Sequence, residues 1–515
     1  MSFSALFPST SSSAGDQDSV EALSDTADEP LSILQPIGYS NSTCGYCAEE
    51  KGSRSINKSS KSYGCWAHTL SCATYKLLLD KGWRRSGCYM YKPDNANTCC
   101  VQYTISQDSS QFKPTRSQRQ VLQRFSNFIK LGTRQGEKGW GPPPPPPLQS
   151  SQLSQPRTAT TTTSEEERIK SSVAKGKGKA KNQNIPLDFN EMLHSGDWDN
   201  SPKSSGEENS FKNKFEYTVE PASFTEEKYA LFKRYQMEVH SEPESKVSVK
   251  GFKRFLVDTP LDLEPTSHPS GLSYGSHHCL YRLNGTLIAF AVLDLLPLAV
   301  SSVYFVWNPD WSSMSLGKVS ALREIGMVRE FEQSGVWEKG KGRYMMGYYI
   351  EVPKMRYKAD YQPSFLLDPA TNVYYPWEHC KPLINLSMPL AASFSQPSLN
   401  PPHSSSNLPP SKSPTSTNPT LKRKTKEDDS SEEEEEEDEE EDSKFPSPPP
   451  PGCLDPSKPL PKGLLMNSLV LESRTLVPLL LSTAWHDREM QSEVKELLSA
   501  TGENCQGRLA IWMGR

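Results

Sequence analysis

The residues with the clearest chemical potential are cysteines. Of 11 in the chain, seven lie in the first 100 residues: Cys44, Cys47, Cys65, Cys72, Cys88, Cys99 and Cys100. Cys44-Gly-Tyr-Cys47 is a C-x2-C pair, a spacing at which one tight turn presents two thiolates to a single metal. Cys99 and Cys100 are adjacent, 52 residues beyond Cys47. Neighbouring side chains on a strand point to opposite faces, so this pair can serve one metal only from an irregular turn, and Asn95 and Asn97 supply turn-forming residues just upstream. Together the four make a candidate site for zinc or for an iron–sulfur cluster, both of which take thiolates. Free cysteines in a core and a redox-active dithiol are the alternatives that spacing leaves open.

A second stretch, Asp80-Lys-Gly-Trp-Arg-Arg-Ser-Gly-Cys-Tyr-Met-Tyr-Lys-Pro93, interleaves Arg84, Arg85 and Lys92 with Trp83, Tyr89 and Tyr91. Basic groups meet phosphate while aromatics stack on exposed bases. The plainer alternative is a basic strand whose aromatics lie in the core. Gly271-Leu-Ser-Tyr-Gly275 matches Gly-x-Ser-x-Gly in letters, but a nucleophile elbow needs a strand before it and a helix after it. Here a Pro/Ser/His loop precedes and a strand is expected to follow, so the match is read as chance.

The elements that must position these groups follow from composition and periodicity. Hydrophobic residues make up 35% of the 515, and there are 43 prolines, well below the apolar share of a chain folded throughout. Lys and Arg number 57 against 62 acids, but 14 of those acids lie between Glu427 and Asp442, which leaves the rest of the chain mildly basic. Residues 1–30 are Ser-rich and acidic and resemble neither a signal nor a transit peptide. No uninterrupted apolar run reaches the length of a membrane span, so the expectation is a cytoplasmic protein that does not meet a membrane. Lys422–Lys426 reads either as a nuclear localisation signal or as a basic counterpart to the acidic run.

Composition shifts predict six segments: a disordered 1–30; a Cys-rich N-terminal domain at 31–130; a low-complexity linker at 131–210, with six prolines at Pro142–Pro147; a main globular unit at 211–386; a disordered 387–462 containing the acidic run; and 463–515, without an assigned role. The main unit reads as α/β. Apolar runs at 280–283 and 286–296 flank Asn284-Gly285, a hairpin signal. A third strand is expected at 301–307 and a small-residue loop at 313–317. The helix over 318–332 then has Ala321, Leu322, Ile325 and Val328 on one face, and Arg323 and Glu330 turned away.

Four strings stand in order in the first half: Ser42-Thr-Cys-Gly-Tyr-Cys47, Leu79-Asp-Lys-Gly-Trp-Arg-Arg-Ser-Gly-Cys88, Thr98-Cys-Cys-Val-Gln-Tyr-Thr-Ile105 and Phe112-Lys-Pro-Thr-Arg-Ser-Gln-Arg119. In the second half come Ser273-Tyr-Gly-Ser-His-His278, Asp294-Leu-Leu-Pro297, Val300-Ser-Ser-Val-Tyr304, Ser315-Leu-Gly-Lys-Val-Ser-Ala-Leu-Arg-Glu324 and Pro353-Lys-Met-Arg-Tyr-Lys358. Over about 35–130 and 211–385 the chain closely resembles the eukaryotic arginyl-tRNA-protein transferase family. The resemblance implies an aminoacyltransferase that moves Arg from Arg-tRNA to the α-amino group of proteins beginning with Asp, Glu or oxidised Cys, marking them for ubiquitin-dependent degradation in the N-degron pathway. It implies an acetyltransferase-like (GNAT-like) transferase domain beside a small Cys-rich metal-binding domain, with a long disordered linker and tail, and it matches Cys44, Cys47, Cys99 and Cys100 to the family's metal-cluster cysteines. No nucleotide cofactor is implied. Partners are Arg-tRNA and proteins with acidic N-termini, and a monomer is expected. One departure stands out: Ile350-Glu-Val-Pro353 is one residue shorter than the family's pattern and lacks its Cys.

The implied reaction is aminolysis of an activated ester, which needs alignment, an unprotonated amine and oxyanion stabilisation rather than an enzyme nucleophile. Three needs can be assigned to residues. The arginyl guanidinium calls for a carboxylate, with Asp294 first and Glu351 and Glu330 behind it. Phosphate contacts to the tRNA are expected from Ser313, Ser315 and Gly317 at a helix start and from Arg84 and Arg85. An acidic acceptor calls for cations, available at Lys354, Arg356 and Lys358, while His277 and His278 are donors and His278 a candidate proton acceptor. Turn caps and structural histidines remain the plain alternatives. Two other functions compete: a non-catalytic, metal-stabilised tRNA- or protein-binding adaptor on the same fold, and a small-molecule acetyltransferase, which the single Gly317 in the loop disfavours.

Overall fold

The computed structural model describes residues 30–47, 54–132, 188–198, 211–400, 441–505 and 507–514. The expected disorder of 1–29, most of the 131–210 linker, and the acidic run through 440 lie outside the described residues. Among the described residues no helix is long and apolar enough to cross a membrane.

The Cys-rich half supplies β1 (Ser32–Ser42), β2 (Ser60–Thr69), α1 (Cys72–Leu79), β3 (Arg84–Ser86), β4 (Tyr89–Pro93), β5 (Tyr103–Asp108) and α2 (Arg116–Leu131). After α3 (Phe189–His194) come β6 (Phe215–Pro221), α4 (Glu226–Tyr235), α5 (Val249–Phe252), β7 (Gly275–Leu283), β8 (Thr286–Leu296) and β9 (Ala299–Trp307). Then follow α6 (Leu316–Gln333), β10 (Arg343–Tyr349), β11 (Ser364–Leu367), β12 (Tyr374–Pro376) and α7 (Trp377–Ser387). The C-terminal part gives β13 (Glu441–Ser443), α8 (Lys462–Met466), β14 (Leu469–Glu472), β15 (Thr475–Pro478), α9 (Thr483–His486), α10 (Arg488–Thr501) and β16 (Leu509–Trp512).

Two eight-stranded sheets result. Residues 211–386 build most of the second, in the order β12-β11-β5-β10-β9-β8-β7-β6. Within it β8 is an almost unbroken apolar run that is buried except at its first residue, as a strand covered on both faces must be. The expected hairpin is present: Asn284 at φ +50° and Gly285 at φ +83° take the left-handed conformations of a two-residue turn. One face of the sheet packs on α2, α3 and α6 and the other on α4 and α5. β10 lies parallel to β9 through the α6 crossover, but only Arg343, Tyr344 and Met345 pair with it, opposite Ala299, Val300 and Ser301.

The domain boundaries drawn from composition need correction. β5 was placed in the Cys-rich domain, yet it pairs with β10 and β11 inside the second sheet. Helix α2, opened by a Thr115/Gln118 capping box, packs on that sheet's core as well. The 463–515 segment adds β14, β15 and β16 to the first sheet, whose order is β15-β14-β16-β1-β2-β4-β3, with β13 on β1. Residues 387–400 and 441–462, inside the stretch read as disordered, include the buried Ala392, Phe394 and Leu460.

The linker reading also needs correction, at α3. Phe189 and Leu193 are buried in the main core, and Gly326 of α6 must lack a side chain because a Cβ there would stand 2.4 Å from Leu193 Cδ2. Arg323, expected to face away, is buried instead and pairs with Asp197. His194 joins Glu330 at 2.9 Å and Asp197 at 2.7 Å. The hydrogen bonds to Asp197 and Glu330 raise the His194 pKa to about 9, against the opposing effect of burial. A histidine raised on folding lends stability that is complete below its unfolded pKa near 6.5 and is lost as pH rises through about 9. The melting temperature of His194→Gln should therefore lie below wild type near pH 6 and converge on it near pH 10, as thermal melts across that range would read.

Candidate active site and metal centre

The two sheets meet at one buried ion pair. Arg85, on edge strand β3, donates from Nε to Asp294 Oδ2 at 2.8 Å and from Nη2 to Oδ1 at 2.5 Å. Nη1 donates to Gly87 O at 3.0 Å, and Ser276 Oγ to Asp294 Oδ1 at 2.8 Å. The side chains are 2% and 0% exposed. This corrects the role expected of both residues. Asp294 has both oxygens committed within the protein and is not open to an arginyl group, and the Arg85 fork is not open to phosphate. Removing one partner of a buried pair strands the other charge, so Asp294→Asn should destabilise the fold by about 3–5 kcal/mol. Chemical denaturation measures this, and a variant as stable as wild type contradicts a structural role for the pair.

His278 also departs from its expected role. Its Nε2 contacts Leu256 O at 2.8 Å, and its Nδ1 contacts Lys228 Nζ at 2.9 Å. The carbonyl requires a proton on Nε2 and the ammonium requires a lone pair on Nδ1, so the ring is neutral with both nitrogens engaged. Burial, then the Lys228 charge, pushes its pKa down to about 4, and it is not a proton acceptor for substrate. His277 is buried beside Gly275 O at 3.1 Å. Of the remaining acids, Glu351 accepts from Lys381 at 2.7 Å and Arg356 at 2.8 Å, and Glu330 is held by His194.

Arg84 and Lys358 have a different environment. Where β10 leaves β9, its pairing with β5 breaks between Met345 and Tyr348, and Gly347 takes φ +70°. This bulge turns two carbonyls toward cations. Arg84 Nη2 donates to Gly347 O at 3.1 Å, and Lys358 Nζ to Tyr348 O at 2.8 Å. Arg84 also donates to Trp83 O at 2.7 Å and lies over the Tyr348 ring. Both side chains are buried, the Arg84 Nε has no partner, and neither cation has an ion pair among the described residues. Burial, with Arg84 close by, lowers the Lys358 pKa to about 7. Lys354 is elsewhere: it donates to Gly45 O and lies over the Tyr46 ring.

The expected phosphate loop is tighter than the sequence suggests. Ser313 closes a 3₁₀ turn spanning Pro309–Met314, Ser315 sits at φ +54° without a side-chain cap, and Gly317 lies inside the first turn of α6. Ser313 and Gly317 are exposed. Arg234 braces the loop through Asp310, at 2.8 and 2.7 Å, and Asn308.

The four cysteines converge. Sγ atoms of Cys44, Cys47, Cys99 and Cys100 all lie within 4.8 Å of one another, and those of Cys47 and Cys99 are 3.6 Å apart. Asp94 builds the irregular turn, accepting from Ala96 N at 3.0 Å and Asn97 N at 3.3 Å, and Cys99 N donates to Ser59 O at 3.0 Å. Four thiolates at about 2.3 Å around one tetrahedral ion stand about 3.8 Å apart, so this donor set fits a metal. Burial opposes ionisation of Cys44, yet the main-chain N–H groups of Tyr46 and Cys47 hold its thiol below the ordinary value, whereas burial and the neighbouring thiols push Cys47 up to about 11. Tyr348 and Ile350 pack directly on the cluster with Val352 beside them, so the shortened Ile350–Pro353 segment borders the metal site. If one metal joins both turns, each single Cys→Ser variant should lose bound metal and melt earlier, and a second substitution should add little. Elemental analysis alongside melting checks this, and full occupancy in all four variants contradicts it.

Sequence reasoning missed the residues that brace this region from outside it. Trp83 Nε1 donates to Ala500 O at 3.2 Å, Lys81 to Thr501 O at 2.7 Å and Lys92 to Gly452 O at 3.1 Å. The α3 dock was signalled by Asp188-Phe-Asn-Glu191, a capping box that the structure forms.

A mixed α/β half is thus joined to a four-cysteine cluster, with two cations between them that form no ion pair among the described residues. The family models for the N terminus and C terminus of arginine-tRNA-protein transferase match residues 42–120 and 227–368. The chain is 30% identical to "Arginyl-tRNA--protein transferase 2" of Arabidopsis thaliana, over 69% of this chain and 76% of that one. It is 31% identical to "Arginyl-tRNA--protein transferase 1" of Drosophila melanogaster, over 67% and 82%. An "Aspartate/glutamate leucyltransferase" of Pseudomonas fluorescens is 34% identical over 30% of this chain and 59% of its own. The chain belongs to the arginyl-tRNA-protein transferase family.

Proposed function

We propose that this aminoacyltransferase moves arginine from Arg-tRNA to the α-amino group of proteins whose first residue is Asp, Glu or oxidised Cys, and that the new N-terminal Arg marks them for ubiquitin-dependent degradation. The observation that carries the acceptor side is the pair Arg84 and Lys358, two buried cations without a carboxylate partner among the described residues where β10 leaves β9. Buried charges are ordinarily paired, and an acidic first side chain supplies the missing anion while its α-amine stays one residue's length away. The leucyltransferase relatives, named for aspartate and glutamate, support an acidic acceptor under a different aminoacyl donor.

The chemistry then divides simply. The ester is already activated, and an α-amine with pKa ~7.7–8.0 has a useful neutral fraction at physiological pH, so the site's main task is alignment. A GNAT-like core is supported by four antiparallel strands, β6 to β9, followed by β10 parallel to β9 and diverging after Ser301 and Met345. Ser313, Ser315 and Gly317, between the end of β9 and the head of α6, are the expected contacts for the tRNA 3′ end. For the cysteines we propose a single ion, because an iron–sulfur cluster with four separate irons holds its thiolates further apart than one tetrahedral ion does. The metal adds a cross-link between the 44–47 and 99–100 turns, beside the segment that follows β10. The reading includes a cytoplasmic monomer without a nucleotide cofactor.

Purified protein, Arg-tRNA and an Asp-initiated peptide test the proposal: the peptide should gain the mass of one Arg residue, whereas an adaptor leaves it unchanged. Lys358→Met should raise KM for that peptide about 10- to 100-fold, the worth of a charge-assisted hydrogen bond, with a smaller effect on kcat. With the Lys358 pKa near 7, wild-type affinity for the peptide should weaken above pH 7 as the ammonium is lost, and the variant should lack that dependence. An unchanged KM removes Lys358 from acceptor recognition.

A further inference from the structure

A second pair of cations, Lys81 and Lys92, lies beside β5 and β11. Lys81, Lys92, Asn95, Gln102, Thr104 and Asn372 line a small, partly open recess between the two sheets, bordered at one side by Pro451. Lys92 is 4% exposed. Each ammonium carries three N–H groups, and each gives one to a main-chain carbonyl, Lys81 to Thr501 and Lys92 to Gly452. Neither forms an ion pair among the described residues. Asp94, a buried acid two residues from Lys92, is committed to Tyr39 at 2.7 Å and Asn97 at 2.8 Å. Glu503 influences Lys81 only at longer range. Burial and the charge of Lys92 depress the Lys81 ammonium, as expected where two cations share one space.

Two neutral groups of the lining are unsatisfied. Thr104 is 2% exposed, and its Oγ1 has no hydrogen-bond partner. The Asn372 Oδ1 is equally without one, and its loop is pinned, with Asp368 accepting from Ala370 N and Thr371 N at 2.9 Å each. A buried polar group left unpaired costs about 1–3 kcal/mol. Here a hydroxyl donor and an amide that can turn its NH₂ inward stand beside two cations without an anion. That is the donor set for a compact oxyanion with several acceptor oxygens.

We propose that this recess is a phosphate-binding site, with Lys81 and Lys92 supplying charge and Thr104, Asn372 and Gln102 supplying neutral donors. A phosphate there bridges the end of α1, strands β4 and β5, and the segment at Gly452 that leads into the C-terminal strands. It therefore fastens residues 441–514 to the first sheet, and its binding is linked to the stability of that dock.

The experiment is thermal melting of the full chain in inorganic phosphate against chloride at equal ionic strength. Phosphate should raise the melting temperature by a few degrees and slow proteolytic release of the C-terminal segment. Asn372→Asp, which adds a negative charge to the recess at a position whose φ of +56° Asp tolerates, should abolish the phosphate effect and, by supplying the two cations with an anion, melt no lower than wild type in chloride. Thr104→Val should weaken phosphate about 10-fold by calorimetry, which keeps the test open if the Asp variant folds poorly. Competition against tRNA separates the sources: weaker tRNA binding in phosphate assigns the recess to an RNA phosphate, and unchanged binding assigns it to the free ion. No phosphate-specific rise in wild type, as expected of a recess holding only water, or an undiminished rise in Asn372→Asp, overturns the proposal.

Discussion

The bidentate contact between Arg85 and Asp294 sets the geometry on which the rest depends. It crosses from an edge strand of one sheet to a buried strand of the other. A buried ion pair is favourable only when its remaining hydrogen-bonding capacity is met, and here Ser276 and the Gly87 carbonyl meet it. Successive residues of a strand point to opposite sides. Once Arg85 is drawn to Asp294, Arg84 is directed the other way, onto the Gly347 carbonyl of β10. The ion pair thus positions a neighbouring residue for chemistry in which it takes no part itself.

Strand β10 is the second constraint. Held by β9 at one end and by β5 along its other edge, it cannot follow both partners. The bulge at Gly347 resolves this conflict, and it exposes main-chain carbonyls to Arg84 and Lys358 rather than to a strand. The same strand continues into Ile350 and Val352, which pack against the cysteines. The four-cysteine cluster and the cation pair therefore lie along one stretch of main chain, and loosening the cysteine turns would be felt at Arg84 and Lys358 through Tyr348 and Ile350.

The C-terminal residues complete the first sheet instead of trailing from it. β16 pairs parallel to β1, and the carbonyls at the end of α10 receive Trp83 and Lys81. Part of the basic-aromatic stretch is consequently structural. Of its cations, Arg85 is neutralised within the fold, Lys81 and Lys92 line the recess, and Arg84 alone faces β10.

The sequence by itself determined whatever depends on local spacing. The C-x2-C pair and the adjacent cysteines marked the four-cysteine cluster, Asn284-Gly285 marked the hairpin, and the apolar run of β8 marked a strand covered on both faces, because turn chemistry and side-chain periodicity act over a few residues. The ordered motifs also identified the family. Tertiary structure alone decided which charged residues are free. Arg85 and Asp294 are 209 positions apart, and nothing local distinguishes an acid that will be neutralised from one that will meet substrate. His278 likewise lost its proton-accepting role to Lys228, 50 positions away. Composition placed boundaries where polar residues accumulate, but β5 and α3 crossed them, since a short segment joins whichever sheet or helix buries its apolar face, and that partner is set by the packing of the whole chain.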